Sequence, residues 1–223
     1  ILFSVCFILS CNSELQNEKK STTPYKFSLP SNFPPMVIPI DNPMTEEGVA
    51  LGRMLFHEPL LSANGSQSCS SCHQQKNGFT ESKPLSIGID GISGNRNAMV
   101  LFNLGWSSTL FWDGRTISLE EQAFDPIVDP IEMHDTWLNV ANKLNAHPTY
   151  PELFKVAFDV DEIDSSYVVK ALAQFERTLI SGNSKWDQWT RGEVMFTAQE
   201  LKGWDLFNKD RTNFTTGADC FHC

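Results

Sequence analysis

Basic residues are scarce in this chain. Against 27 Asp and Glu, its 223 residues carry 17 Lys and Arg, for a formal net charge of −10 at pH 7. Lys and Arg do not cluster, so the electrostatic footprint that phosphate binding needs is missing, and nucleic acid is excluded as a partner. Long apolar runs are missing beyond the first ten residues, "ILFSVCFILS". Ten residues of helix span about 15 Å, half a bilayer core, so this run reads as the apolar region of a secretion signal and not as a membrane span. Sustained strand alternation is hard to find, and βαβ units go with it. Cysteine is spent sparingly. Cys6 and Cys11 fall in and just behind the apolar leader, and the other four make two pairs, Cys69/Cys72 and Cys220/Cys223. None remains for a scaffold disulfide, so an exported protein of this composition is using cysteine to hold a cofactor.

The leader has a further feature. Ile8-Leu9-Ser10-Cys11 resembles a bacterial lipobox, in which cleavage precedes a cysteine that becomes lipidated, and the polar tether "NSELQNEKKSTTP" lies directly behind it. Residues 1–22 are therefore expected to be signal, anchor and tether, placing the protein in the periplasm on a lipid attached to Cys11. The alternative is an ordinary signal peptide that happens to contain a cysteine.

Helical spacing recurs beyond the tether. Thr45 can cap a helix running to Leu55. Ser118-Leu119-Glu120-Glu121 reads as a capping box for a helix ending near Pro126. Trp137, Val140, Ala141 and Leu144 form a stripe behind Asp135 as candidate cap, and Pro151 suits a first helical turn. In "SSYVVKALAQFERTLISG", Val168, Leu172, Phe175 and Leu179 make one apolar stripe, Lys170, Glu176 and Arg177 are polar, and Gly182 can close the helix. Thr197-Ala198-Gln199-Glu200 opens another. The fold class expected is all-α. Long irregular stretches at residues 59–68 and 76–116 separate the helices, and a large buried cofactor would organise them.

Cys69-Ser70-Ser71-Cys72-His73 is the Cys-x-x-Cys-His signature of covalent c-type haem attachment. Two thiols add to the haem vinyl groups and the adjacent imidazole ligates iron. Half of a zinc ribbon, a thioredoxin-like pair and a plain disulfide are the competing readings. Zinc needs more soft ligands than lie nearby, and the redox pair expects a βαβ context. The terminal "CFHC" taken alone could serve zinc, a disulfide, redox exchange or haem. His222 lies inside that spacer and is not the expected iron ligand. His57, His134 and His147 have no motif support.

Five segments in order, "LGRMLFHEPLLSANGSQSCSSCH", "SIGIDGISGNRNAMVLFNLGW", "FWDGRTISLEEQAFDPIVDPIEM", "ALAQFERTLISGNSKWD" and "LKGWDLF" with the later "CFHC", resemble the bacterial dihaem cytochrome c peroxidases and their methylamine-utilisation relatives. The resemblance implies two cytochrome c-like haem domains, a first, peroxidatic one over 23–163 and the start of a second, electron-transferring one over 164–223. In this reading the chain is a fragment, with the second domain truncated and Cys220 and Cys223 as its haem-attachment pair. His73 would be the proximal ligand of the first haem. Glu132 matches the distal acid–base residue, Gln122 the polar residue beside it, Trp112 the tryptophan between the haems, and Asn97 a ligand of an interdomain calcium. The implied activity is reduction of hydrogen peroxide with electrons from a small cytochrome c or cupredoxin, and the resemblance suggests a homodimer. A dihaem oxidase that modifies a partner protein and a non-catalytic electron-transfer cytochrome are the other readings. One departure stands out. Many of these peroxidases read "SIGH", with a histidine that blocks the peroxide side of the iron, where this chain has Ser86-Ile87-Gly88-Ile89. Isoleucine cannot ligate iron, so the first haem is expected to be five-coordinate or water-bound without reductive activation.

Overall fold

The computed structural model describes residues 22–209, 217–218 and 220–222. The leader, Cys11 and Cys223 lie outside the described residues. Among those described, secondary structure is helical, with isolated bridges in place of strands, as the spacing predicts.

Four helices make the core: α1 (Glu46–Phe56), α5 (Trp137–Ala146), α6 (Tyr150–Phe158) and α7 (Ser165–Arg177), with the short α2 (Cys69–Cys72), α3 (Leu119–Gln122) and α4 (Asp125–Val128) between them in the chain. Thr45 accepts from the Gly48 N–H and caps α1, and Asp164 accepts from Ser166 and Tyr167 to cap α7. The α1–α7 contact is unusually close because glycines four residues apart leave one face of α1 without side chains. A Cβ on Gly52 would lie 1.9 Å from the Ala171 carbonyl oxygen, and one on Gly48 would lie 2.2 Å from Gln174 Oε1. Gln174, almost fully buried, ties the start of α1 down by accepting from Thr45 N at 3.0 Å and donating to Asn42 Oδ1 at 2.9 Å. Leu51, Leu55, Phe56, Val140, Leu144, Phe154, Val168 and Leu172 fill the core between these helices.

Three local expectations need correction. The helix from Ser118 stops at Gln122, and Asp125-Pro126 opens α4 instead of ending α3, which suits a proline in a first turn. Thr136, not Asp135, caps α5 by accepting from Asn139 N. Asp135 is buried instead and paired with Lys143 at 2.6 Å. α7 ends at Arg177, five residues before Gly182; that glycine makes room for Pro30, whose Cγ lies 2.3 Å from where its Cβ would be. α7 packs extensively on α1, and both contribute to the same hydrophobic core.

Beyond α7, α8 (Lys185–Thr190) and α9 (Ala198–Asn208) meet through a separate aromatic group of Trp186, Trp189, Phe196 and Trp204, with Trp186 and Trp204 centroids 4.1 Å apart. Thr197 and Glu200 form the expected capping box.

Candidate haem pocket

The Cys-x-x-Cys-His segment folds as one helical turn. Ser68 N donates to Ser71 Oγ at 3.0 Å, and His73 N donates to the Cys69 carbonyl at 2.9 Å. Spacing of i, i+3 on that turn puts both thiols on one side. They are unbridged, and with His73 they line a cavity of about 450 Å³, within the range of cofactor sites. Its walls come from the long loops. The Ser86–Gly88 segment, Arg96–Met99, Phe111–Asp113 with Arg115, Gln122, Ile131–Met133, and Leu172 with Glu176 from α7 all border it.

Burial dominates the electrostatics of the attachment turn. Burial pushes the Cys69 thiol up to about 12, with the nearby Glu176 adding to it, and burial with Glu81 pushes Cys72 up to about 11. Both thiols are therefore held neutral, and the thioethers formed with haem would be uncharged as well. Burial also lowers His73, so its ring is neutral. Its Nδ1 lies 3.0 Å from the Phe79 carbonyl oxygen and 2.9 Å from that of Met99. Two acceptors place the proton on Nδ1 and leave the Nε2 lone pair for a metal ion, the usual way in which outer partners orient a ligating histidine.

Glu132 lines the cavity and is an exposed residue. Burial raises its carboxyl and Asp129 raises it further, while Arg115 opposes them. The Ser86–Ile89 loop sets its position. Ile89 N donates to the Glu132 carbonyl at 2.9 Å, and Gly88 lies so close that a Cβ would sit 1.8 Å from the Ile131 carbonyl oxygen. Ile87 borders the cavity, while half-buried Ile89 is not among its lining residues. Gln122 is buried at 8 % exposure and lines the same cavity. Trp112 is 63 % exposed at the rim, its indole N–H donating to the Asn97 carbonyl at 2.9 Å. The Asn97 side chain accepts from Thr80 Oγ1 at 3.0 Å and donates to the Lys83 carbonyl at 2.5 Å. Among the described residues, no three His, Cys, Asp or Glu side chains gather as a metal-binding set.

Spacing along the chain thus brings Cys69, Cys72, His73, Gln122, Glu132, Trp112 and Asn97 to one cavity. Cys220 lies apart, exposed in a short turn over Cys220–His222. Sequence reasoning missed several wall residues. Arg96 and Arg115 both bind Asp113 at 3.1 Å, and Arg115 also reaches Asp125 at 3.4 Å, so two guanidinium groups stand at the wall. Gly88 and Glu176 were also missed. The signal for Glu176 was its register, four residues after Leu172 and three before Leu179, on the apolar face of α7.

An all-helical fold in which a Cys-x-x-Cys-His turn opens on a cavity of this size defines the c-type cytochrome class. A family model described as di-haem cytochrome c peroxidase matches residues 46–195. The chain belongs to that family. It is 39 % identical over 184 residues to the methylamine utilization protein MauG of Methylorubrum extorquens, covering 82 % of this chain and 51 % of that protein. It is 38 % identical over 195 residues to the cytochrome c551 peroxidase of Nitrosomonas europaea, covering 86 % and 56 %. Among solved structures, a MauG-like protein associated with microbial copper homeostasis superposes with a TM-score of 0.81 at 36 % identity, over 89 % of this chain and 57 % of that one. The chain spans about half the length of the relatives it matches.

Proposed function

We propose that this chain carries the peroxide-reacting half of a dihaem peroxidase that reduces hydrogen peroxide to water. The observation that carries the reading is the convergence of Glu132 and Gln122 on the cavity of the Cys69–Cys72–His73 turn. Cys69 and Cys72 would hold the haem covalently, His73 would ligate its iron through Nε2, and Arg96 and Arg115 are the cations available to its carboxylates. Bound there, the haem supplies an iron centre that takes peroxide and exchanges electrons.

Glu132 handles the proton. As a carboxylate it accepts the proton from one peroxide oxygen and returns it to the other, so that water can leave. Burial and Asp129 make it a stronger base than an ordinary carboxylate, and Arg115 opposes that rise. Gln122 polarises the same space. Reduction of one peroxide to two waters consumes two electrons and two protons. The electrons come from a small donor protein, a cytochrome c or cupredoxin, and Trp112 at the rim is the aromatic group that carries them inward. The second haem unit, with Cys220 and Cys223 as its attachment pair, begins after α7 in this reading, at the aromatic group of α8 and α9. Periplasmic location and a lipid on Cys11 belong to the same proposal. A calcium ion at Asn97 would use the free lone pair of its amide oxygen and draw its other ligands from groups that the described residues do not bring there.

Glu132→Gln keeps shape and removes the base. Peroxide turnover in the haem-loaded protein should fall by about 10²–10⁴-fold with haem content unchanged; undiminished turnover would move the acid–base role elsewhere. One observation favours a second reading, a partner-modifying oxidase. Ile89 stands where the gating histidine of many of these peroxidases would be, and the methylamine-utilisation enzymes also work without it. Rapid peroxide consumption with a reduced small cytochrome or cupredoxin separates the two, because the oxidase reading predicts none.

A further inference from the structure

Glu176 is the buried acid that the proposed chemistry leaves unused. It lies in the last turn of α7 at 5 % exposure and borders the haem cavity beside Cys69. Its Oε2 has no hydrogen-bond partner. A buried, unpaired carboxylate is costly, and such a group normally neutralises itself by holding a proton. The adjacent Arg177 does not relieve it. That guanidinium is committed to Glu120 on α3, Nη1 to Oε1 at 2.8 Å and Nη2 to Oε2 at 2.9 Å.

The cavity that Glu176 borders also holds His73, Arg96, Asp113, Arg115, Asp129 and Glu132, none of which is among the influences on its carboxyl. Arg177 favours its anion and Glu120 opposes it. From the attachment turn the facing group is the Cys69 thiol, which becomes an uncharged thioether once haem is attached. From α1, Glu46, Glu47 and Arg53 exert no resolved influence, nor do Lys143 and Asp135 from around α5, which pair with each other. The short Leu104–Trp106 turn that also touches α7 carries no titratable group. Burial dominates the balance and lifts the carboxyl to about 8. Such a group responds to any change of charge in the cavity, because a dry surrounding screens poorly.

We propose that Glu176 is the redox-linked proton site of the first haem: its carboxylate takes one proton from solvent as the iron takes one electron from the reduced donor, and releases it as that electron leaves. The added electron cancels one positive charge in the cavity, and the added proton cancels the negative charge facing it. Linkage makes the coupling reciprocal, so the electron's affinity must depend on pH wherever Glu176 titrates. The inference rests on the haem lying in this cavity, as proposed above.

The test is the reduction potential of the haem on Cys69 and Cys72, titrated against pH in the haem-loaded protein. The expected result is a potential that falls with pH across a window including pH 8, approaching tenfold in the equilibrium constant per pH unit, about 59 mV for one electron. Glu176→Gln should flatten that slope and Glu176→Asp should keep it. An unchanged slope in Glu176→Gln with full haem content overturns the proposal, as does loss of the slope in Glu132→Gln alone. Redox-difference infrared spectra of the unmutated protein make the test independent of how the variants fold. A protonated-carboxyl C=O signal should appear on reduction and disappear on oxidation, and its absence overturns the assignment. Failure to attach haem at Cys69 and Cys72 would instead defeat the underlying reading, so the two failures are distinguishable.

Discussion

Gly88→Ala tests whether the Ser86–Ile89 loop positions Glu132. Gly88 is not in the left-handed region, so alanine is acceptable to its own backbone, and what it lacks is space. The new Cβ would lie 1.8 Å from the Ile131 carbonyl oxygen and 2.7 Å from that of Glu132, where real Cβ atoms stay beyond 3.0 Å. The loop and the Ile131–Glu132 backbone must therefore separate by about 1.2 Å, which strains or breaks the 2.9 Å bond from Ile89 N to the Glu132 carbonyl. Overpacking of this kind costs about 1–3 kcal/mol. A displacement of about 1 Å at a catalytic group costs about 10² in rate. The assay is steady-state peroxide consumption with saturating reduced donor, together with haem content and thermal unfolding. Turnover should drop about a hundredfold while haem content holds and the midpoint falls by several degrees. Gly203→Ala, with nothing within 4 Å of the added carbon, is the matched control. Turnover of Gly88→Ala within twofold of the parent would refute the positioning argument.

Other consequences concern the scaffold and its pH dependence. Gly52→Ala puts a carbon 1.9 Å from the Ala171 carbonyl oxygen, so α1 and α7 must part; a loss of at least about 1–3 kcal/mol is expected in denaturant titration. Lys143→Met leaves Asp135 charged and buried without its 2.6 Å partner, which should cost about 3–5 kcal/mol at neutral pH and less once acid protonates the carboxyl. Burial alone would raise Asp135 and Glu120, but Lys143 and Arg177 outweigh it and hold both below the ordinary carboxylate range. Their contribution is present above the unfolded values near 4 and lost as pH falls through the folded ones. Glu176 has the opposite sign. Raised from 4.5 to about 8, it contributes stability below pH 4.5 that disappears as pH rises to about 8, and Glu176→Gln should remove that alkaline loss in unfolding curves from pH 5 to 8.

Much of the fold was legible because helices announce themselves locally. Thr45, Pro151 and the Thr197–Glu200 box act within one turn, and the sequence shows all three. The attachment turn was legible for the same reason, since Cys69, Cys72 and His73 are within five residues of one another. Elements whose ends are set by distant contacts were not. Gly182 looked like a helix stop, yet its smallness serves Pro30 and Phe33, about 150 residues earlier in the chain. Asp135 looked like a cap, yet a lysine eight residues on draws it into the core. Glu176 and Arg177 looked like the polar side of α7 but are both buried, one paired across to α3 and the other facing the cavity. Polarity predicts exposure only where no partner or cofactor waits inside.

The account turns on a first haem whose peroxide side is open and served by Glu132. Its most direct test mixes the fully oxidised, haem-loaded protein with hydrogen peroxide and a reduced small cytochrome or cupredoxin, with no prior reduction of the protein. Immediate peroxide consumption, from a ferric first haem without a second histidine ligand, is the predicted result. A low-spin bis-histidine first haem that leaves peroxide untouched would contradict it.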